Sequence, residues 1–182
     1  MNDNDRARLI AAGDAEVLRA FVEDHYSSVL RFMRHLTRSI EDAEDLTQQA
    51  FLKARENIAG YHGGSSLRTW LHRVAFHEYT HWRRKQRPLL RLTQHEIAPE
   101  PGFQACVEGA ALLDALHRLP APMREAFLLF EVQELTLEEV ATVMRVPKGT
   151  VKSRLHHARL RLRTLFQEQE ETLYGTTACE RT

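Results

Sequence analysis

Apolar residues recur at three- and four-residue intervals along nearly the whole chain, the spacing of helices that bury one face. Asp14 stands at a cap position ahead of Val17, Leu18, Phe21, Val22, Val29, Leu30 and Met33. A second run begins near Ser39 and uses Ala43, Leu46, Ala50, Phe51 and Ala54. The stretch GYHGGSS, Gly60 to Ser66, then reads as a loop, and Ser65 or Ser66 suits the cap of a third helix through Trp70, Leu71, Val74 and Ala75 to about Arg84. Pro88 to Phe103 loses the period and holds three prolines, which predicts a linker. Periodicity resumes at Val107 with Ala111, Leu112, Ala115 and Leu116. It stops at Leu119-Pro120-Ala121-Pro122 and restarts through Met123, Phe127, Leu128 and Phe130. Alternating β-branched runs and hairpin dipeptides between them are missing. The predicted fold is all-α: two small helical domains, residues 1–87 and 107–170, joined by a flexible linker at 88–106 and followed by a polar tail at 171–182.

The segment Thr136 to Leu165 carries the most chemistry. Thr136 and Glu139 have the spacing of a capping box, and Leu137, Val140, Ala141 and Met144 share one face of the helix they start. Arg145-Val146-Pro147-Lys148-Gly149 breaks the run, and a proline suits the start of the next helix. That helix has Val151, Leu155, Ala158, Leu162 and Leu165 as an apolar stripe, with Lys148, Lys152, Arg154, Arg159, Arg161 and Arg163 on its other faces. This is the outline of a helix-turn-helix whose second helix enters a DNA groove. Thr150, Ser153 and His157 form one outward row, and Lys152, His156 and Arg159 the next. Residues in the first half of such a helix reach base edges, so Lys152, Ser153, Arg154, His156 and His157 are the predicted contacts. Cations further along favour phosphate.

Charge refines this picture. Lys and Arg total 25 against 25 Asp and Glu, so the chain is no indiscriminate polycation. The charges are segregated, however. Arg83, Arg84, Lys85, Arg87 and Arg91 form one basic run; Glu41, Asp42, Glu44 and Asp45 form one acidic cluster, and Glu131, Glu134, Glu138 and Glu139 another. Separate charged surfaces imply separate partners. Cys106 and Cys179 form neither a metal-ligand pair nor a disulfide framework, and each reads as incidental. Met1 to Asp14 is polar and charged, unlike a signal peptide, and no apolar run approaches the roughly 20 residues of a membrane span. A cytoplasmic protein with no stable membrane association of its own, and with no cofactor, is the expectation.

Three passages in the right order resemble ECF-type sigma factors, the small two-domain class of bacterial transcription initiation factors. Residues 42–54, DAEDLTQQAFLKA, are similar to the helix that family docks on the RNA polymerase clamp. Residues 66–75, SLRTWLHRVA, resemble the start of its promoter-melting helix. Leu119 through Leu160 resembles its −35-binding domain, with GTVKSRL at 149–155 very near the usual wording. The resemblance implies a dissociable specificity subunit that binds core polymerase, duplex −35 DNA and the melted −10 strand. It also implies an anti-sigma factor as inhibitory partner, and no catalysis.

Residue by residue, the resemblance makes Asp45, Gln48, Gln49 and Lys53 the polymerase-binding face, with Arg34 and Arg38 bordering it. Thr150 and Arg159, on the two outward rows of the recognition helix, complete the −35 set beside the five residues above. The resemblance assigns the non-template −10 strand to His62, Gly63, Ser65, Arg68, Arg73, Phe76, His77, Tyr79, Arg83 and Arg84, with one base flipped into a pocket. Physically, holding bases out of the stack calls for aromatic faces and backbone cations, which the third helix supplies. Trp70, spaced with Leu71 and Val74, fits a core position. Phe76, Tyr79 and Trp82 fit core or strand equally. His77, and the pair His156 and His157, depart from the residues common in that family, which leaves the preferred promoter words open.

Two other readings compete. A stand-alone helix-turn-helix regulator explains the C-terminal half but needs neither the glycine-serine loop nor the acidic helix. His77-Glu78-Tyr79-Thr80-His81 matches the H-E-x-x-H pattern of zinc peptidases. A catalytic zinc there needs a third ligand, and only His95 or Glu96, in the predicted linker, offers one.

Overall fold

A computed structural model describes the backbone of residues 1–92 and 107–177, and the side chains of residues 1–86 and 112–167. Eight α-helices and no strand are found among the described residues. They are α1 (Asp3–Ala11), α2 (Ala15–Thr37), α3 (Ile40–Asn57), α4 (Leu67–Leu92), α5 (Val107–Arg118), α6 (Ala121–Phe127), α7 (Leu137–Met144) and α8 (Lys148–Thr177). A 3-10 turn, Ile58–Gly60, follows α3, and a π turn, Leu128–Val132, follows α6.

Helix starts sit where cap chemistry put them. The Asp14 carboxylate accepts from the amides of Glu16 and Val17. Ser39 caps α3 through the Asp42 amide. Of the two serines before α4, Ser66 is the cap: its Oγ accepts from the Thr69 amide at 3.0 Å. Thr136 and Glu139 form the full capping box of α7. Each such cap is worth about 1 kcal/mol.

Three features depart from the sequence reading. The polar start of the chain, to which the sequence assigned no element, forms α1: it buries Ala7 and Ile10, and Arg6 pairs with Asp24 of α2 at 2.6 Å while lying over the Phe21 ring. Helix α4 runs past Arg84 to Leu92. Helix α8 continues through the expected tail to Thr177. The remainder of the predicted linker, with Cys106, His95 and Glu96, lies outside the described residues, as does Cys179.

Helices α2, α3 and α4 pack side by side around Phe21, Val29, Phe32, Met33, Leu46, Ala50, Leu71 and Ala75, all buried. In the C-terminal half, α6 and α7 close on α8, whose stripe Val151, Leu155, Ala158, Leu162 and Leu165 is buried throughout. At about 2 kcal/mol per large side chain removed from water, that stripe fixes which face of α8 turns outward. The two halves also touch: α7 packs on α4, and the π turn packs on α2.

Candidate nucleic-acid and polymerase interfaces

The helix-turn-helix is built as the pattern predicts. Helix α7 ends on Arg145 in the left-handed conformation (φ 53°), and the Val146 amide reaches back to the Ala141 carbonyl at 3.1 Å. The Pro147 carbonyl accepts from the Thr150 and Val151 amides and so starts α8. Opposite the buried stripe, Lys152, Ser153, His156, His157 and Arg159 are exposed, while Thr150 and Arg154 are half-buried. The His157 ring is tied through Nδ1 to the Ser153 carbonyl at 3.0 Å, which turns Nε2 to the outside. Arg159 is already engaged, at 2.6 Å from Glu131 and over the Phe130 ring.

The glycine-serine loop is held from several sides. The Tyr61 hydroxyl donates to the Ser65 carbonyl at 2.7 Å, and the Tyr61 ring stands edge-on to buried Trp70. Gly63 has φ +76°, a backbone conformation that favours glycine, and a Cβ there would push aside the tip of the Asn4 side chain of α1, 2.8 Å away. The Leu67 amide at the head of α4 donates to Asp3 at 2.7 Å, so α1 caps α4 across 64 residues. His62 and Gly63 are exposed and Ser65 is half-buried.

Along α4 the sequence reading needs correction. Phe76 and Tyr79, offered as strand contacts, are core residues at 8% and 1% exposure. They continue the inward row Leu67, Leu71 and Ala75, and their rings lean on one another 6.3 Å apart. Trp70 is core as its spacing predicts. His77 and Arg84 are exposed, and Arg73 is half-buried.

Arg68 and Arg83, also offered to DNA, point instead at the C-terminal half. Arg68 donates to the Gln133 carbonyl, and Arg83 pairs with Glu125, itself only 3% exposed. Burial pushes the Glu125 carboxyl up, against the pull of Arg83 and Arg124. Thr69 donates to Glu139 at 2.5 Å. Burial pushes Glu139 up as well, but hydrogen bonds from Thr69 and Thr136 outweigh it and leave that carboxyl below its ordinary value.

At the centre lies Gln133, 1% exposed. Ser28 Oγ hydrogen-bonds its amide at 2.6 Å, and His72 Nε2 lies 2.9 Å from the same end. The other nitrogen of His72 faces the Arg68 carbonyl at 2.9 Å. Burial lowers the His72 pKa, so the ring is neutral and one nitrogen accepts. Turning the Gln133 amide end for end supplies the donor without changing the shape. The π turn aims this residue: the Gln133 amide bonds back to Leu128 at 3.0 Å, and Glu134 follows at φ 51°. Gln133, Glu125 and Glu139 were not predicted as site residues. Apart from the capping-box role of Glu139, nothing local marks them, because their partners in the other half lie 42 to 105 positions away.

Helix α3 turns Asp45, Gln48, Gln49 and Lys53 to solvent on one face. Leu52 stands among them, 59% exposed. It falls outside the inward stripe of Ala43, Leu46, Ala50 and Ala54, which was the sequence signal for it.

Two family models divide the chain as these surfaces do: Sigma-70 region 2 matches residues 21–88, and Sigma-70, region 4 matches residues 109–162. RNA polymerase sigma factor YlaC of Bacillus subtilis is 30% identical over 158 residues, which span 81% of this chain and 90% of that one. ECF RNA polymerase sigma factor SigM of Mycobacterium tuberculosis is 30% identical over 169 residues, 91% and 86% of the two chains. The chain belongs to the ECF sigma-factor family. The sigma factor RpoE from Bartonella quintana, solved with the anti-sigma factor NepR, superposes with a TM-score of 0.71 at 25% identity, over 82% of this chain and 96% of that one. CnrH, solved with the cytosolic domain of CnrY, has the same fold, with a TM-score of 0.71 at 20% identity over 91% and 97% of the chains.

This sigma factor is therefore a transcription initiation factor that directs RNA polymerase to promoters. A stand-alone regulator would leave the region 2 match unexplained. The HEYTH segment lies on α4 with His77 and His81 exposed, and His77 contacts its neighbour Glu78. No group of three metal-binding side chains occurs among the described residues, and none of the described helices is long and apolar enough to cross a membrane.

Proposed function

We propose a division of labour in which residues 107–170 read duplex −35 DNA and residues 1–87 hold the polymerase clamp and the melted −10 strand, with 88–106 as the tether and 171–182 as a tail. One observation carries the reading: the cationic rows of α8 face outward because its apolar stripe is buried. Lys152, Ser153, Arg154, His156 and His157, with Thr150 at the helix start, take the base edges and nearby phosphates. Arg159 joins them once released from Glu131. His62, Gly63 and Ser65 form the single-strand loop, and Arg73, His77 and Arg84 flank it. Arg68 and Arg83 serve the strand only after the C-terminal half leaves α4. Phe76 and Tyr79 support the helix from inside. Asp45, Gln48, Gln49 and Lys53 surround Leu52 as an apolar centre with a polar rim, a composition suited to a protein partner.

The factor works in the cytoplasm without catalytic activity of its own. An anti-sigma protein that binds both halves keeps it from polymerase. Two weak DNA contacts on one tether multiply through effective concentration, so both boxes at a fitting spacing are needed. Reconstitution with core polymerase, followed by selection from a promoter library, tests this. Enrichment of sequences with two boxes at fixed spacing is expected, and transcription no higher than with core alone would refute it.

A further inference from the structure

Helix α8 holds no acidic residue from Lys148 to Gln167, yet two of its outward cations already carry carboxylate partners. Both carboxylates come from outside the helix. At the start of α8, Lys148 pairs with Glu138 in the first turn of α7. Eleven residues on, about 16 Å along the axis, Arg159 pairs with Glu131 of the π turn at 2.6 Å. The same turn supplies Phe130, whose ring lies 5.7 Å from the Arg159 guanidinium. Between the two pairs stand exposed Lys152, Ser153, His156 and His157. Among the described residues no carboxylate pairs with Lys152.

This arrangement sorts the outward face by kind of contact. Phosphate contacts add affinity without reading sequence, whereas base contacts read it. The cations at the two ends of the face start out neutralised, and the centre that reaches base edges does not. For Arg159 to take a phosphate it must leave Glu131. The freed carboxylate then stands beside the DNA backbone and takes up a counterion, offsetting the one that the phosphate releases. Lys148 meets the same opposition from Glu138. Part of the sequence-independent attraction is cancelled, and base contacts decide a larger share of binding. All four partners are exposed, so the exchange strands no buried charge.

We propose that Glu131 and Glu138 are specificity-determining residues for promoter choice. They hold the end cations of α8 back from phosphate, so that duplex DNA without a matching −35 box is bound too weakly to compete. The proposal rests on the reading of α8 as the −35 helix and extends it to two acidic residues outside that helix.

Glu131→Gln and Glu138→Gln, made singly in the full chain, test it. Each keeps the size of the side chain and removes its charge. Fluorescence anisotropy reads binding to two short duplexes, one with the −35 box that the holoenzyme selects and one with that box scrambled, across a salt series. Each variant should tighten both duplexes at low salt by up to about fivefold, the upper range for one exposed ion pair. The slope of log affinity against log salt should steepen by about 0.9, the share of one phosphate. In an Arg159→Ala background Glu131→Gln should leave that slope as it was, because the cation that gains the phosphate is gone. Holoenzyme carrying Glu131→Gln should initiate more often from a promoter with a scrambled −35 box, relative to the intact promoter. Unchanged affinity and slope in both variants overturn the proposal, as does a slope that steepens equally without Arg159. A fall in melting temperature as the sole effect marks the pairs as stabilisers and overturns it too. Undiminished affinity of Lys152→Ala for the selected box is a separate outcome and overturns the −35 reading itself.

Discussion

Gln133→Ala should part the two halves of this sigma factor. The amide it removes touches Ser28 and His72 across the contact, and both Gln133 and His72 are buried. Truncation leaves the inner nitrogen of His72 without a partner, which costs about 1–3 kcal/mol in the closed form. Once the halves separate, water reaches that nitrogen and the cost disappears. The closed-to-open ratio should therefore fall roughly 5- to 150-fold. A closed form favoured a hundredfold would drop to between about twentyfold and parity. Ser28→Ala removes one hydrogen bond from a half-buried site and should shift the ratio less, by about 1 kcal/mol. Single-molecule energy transfer between dyes at exposed Glu56 and exposed Thr142, with both cysteines replaced, reads the ratio directly. The open variant should also bind a single-stranded −10 oligonucleotide faster, since Arg68 and Arg83 are no longer occupied. An unchanged transfer distribution in Gln133→Ala, with the parent protein closed, would refute the polar triad as the fastening. A Ser28→Ala shift larger than that of Gln133→Ala would refute the ranking by burial.

Lys152→Ala should weaken initiation from −35-dependent promoters by ten- to a hundredfold, on the scale of about 1–3 kcal/mol for a base contact, while core binding measured by gel filtration or fluorescence stays the same. Asp45→Lys should lower core association without changing affinity for −35 duplex, and equal loss of both would remove Asp45 from the polymerase face. Acid should destabilise the fold early: His25, His35, His72 and His117 are all held below the ordinary histidine value by burial first, His117 at about 3. The folded chain then binds fewer protons than the unfolded one, so stability is complete above about pH 6.5 and is lost as pH falls through that value. Melting temperature should drop between pH 7.5 and 5.5, and a flat profile would contradict the burial of these rings. Glu125, pushed up by burial, opposes this trend at lower pH, and Glu125→Gln should reduce that opposition.

Helix identity was legible because cap and stripe agree at α2, α3, α7 and α8. Asp14, Ser39 and the Thr136–Glu139 box lie directly before residues that repeat at helical spacing. Helix α1 escaped because only Ala7 and Ile10 turn inward among its nine residues, too few for a visible stripe. The length of α4 escaped because Pro88 was read as a stop, yet α4 continues to Leu92. The inward position of Tyr79 was available from the four-residue row Leu67, Leu71, Ala75 and Tyr79, but an aromatic beside arginines invited a nucleic-acid reading as readily. The contact between the halves was not legible at all. Polar pairs such as Arg83 with Glu125 and Thr69 with Glu139 join residues with no shared period, and only the fold brings them together.

The chemistry of that contact bears on the proposed separation of the halves, because neither half depends on it for its helix caps. Glu139 closes the α7 cap with one carboxylate oxygen, which accepts from Thr136, and holds Thr69 with the other. Ser66 caps α4 through the Thr69 amide, while its hydroxyl touches the same Thr69 hydroxyl that reaches Glu139. One chain of hydrogen bonds thus runs from the cap beside the single-strand loop to the cap of the helix-turn-helix. Separation breaks the Thr69–Glu139 link together with the Gln133 and Glu125 contacts, and both caps keep their backbone bonds. Arg68 and Arg83 pass from carbonyl and carboxylate to water or phosphate, which solvate them equally well. An apolar seam of the same extent would expose its surface to water on opening and would resist separation in proportion to its area. Here the hydrogen bonds and ion pairs accompany an apolar core that is continuous between the halves, and they are the part of the contact that water or phosphate can replace.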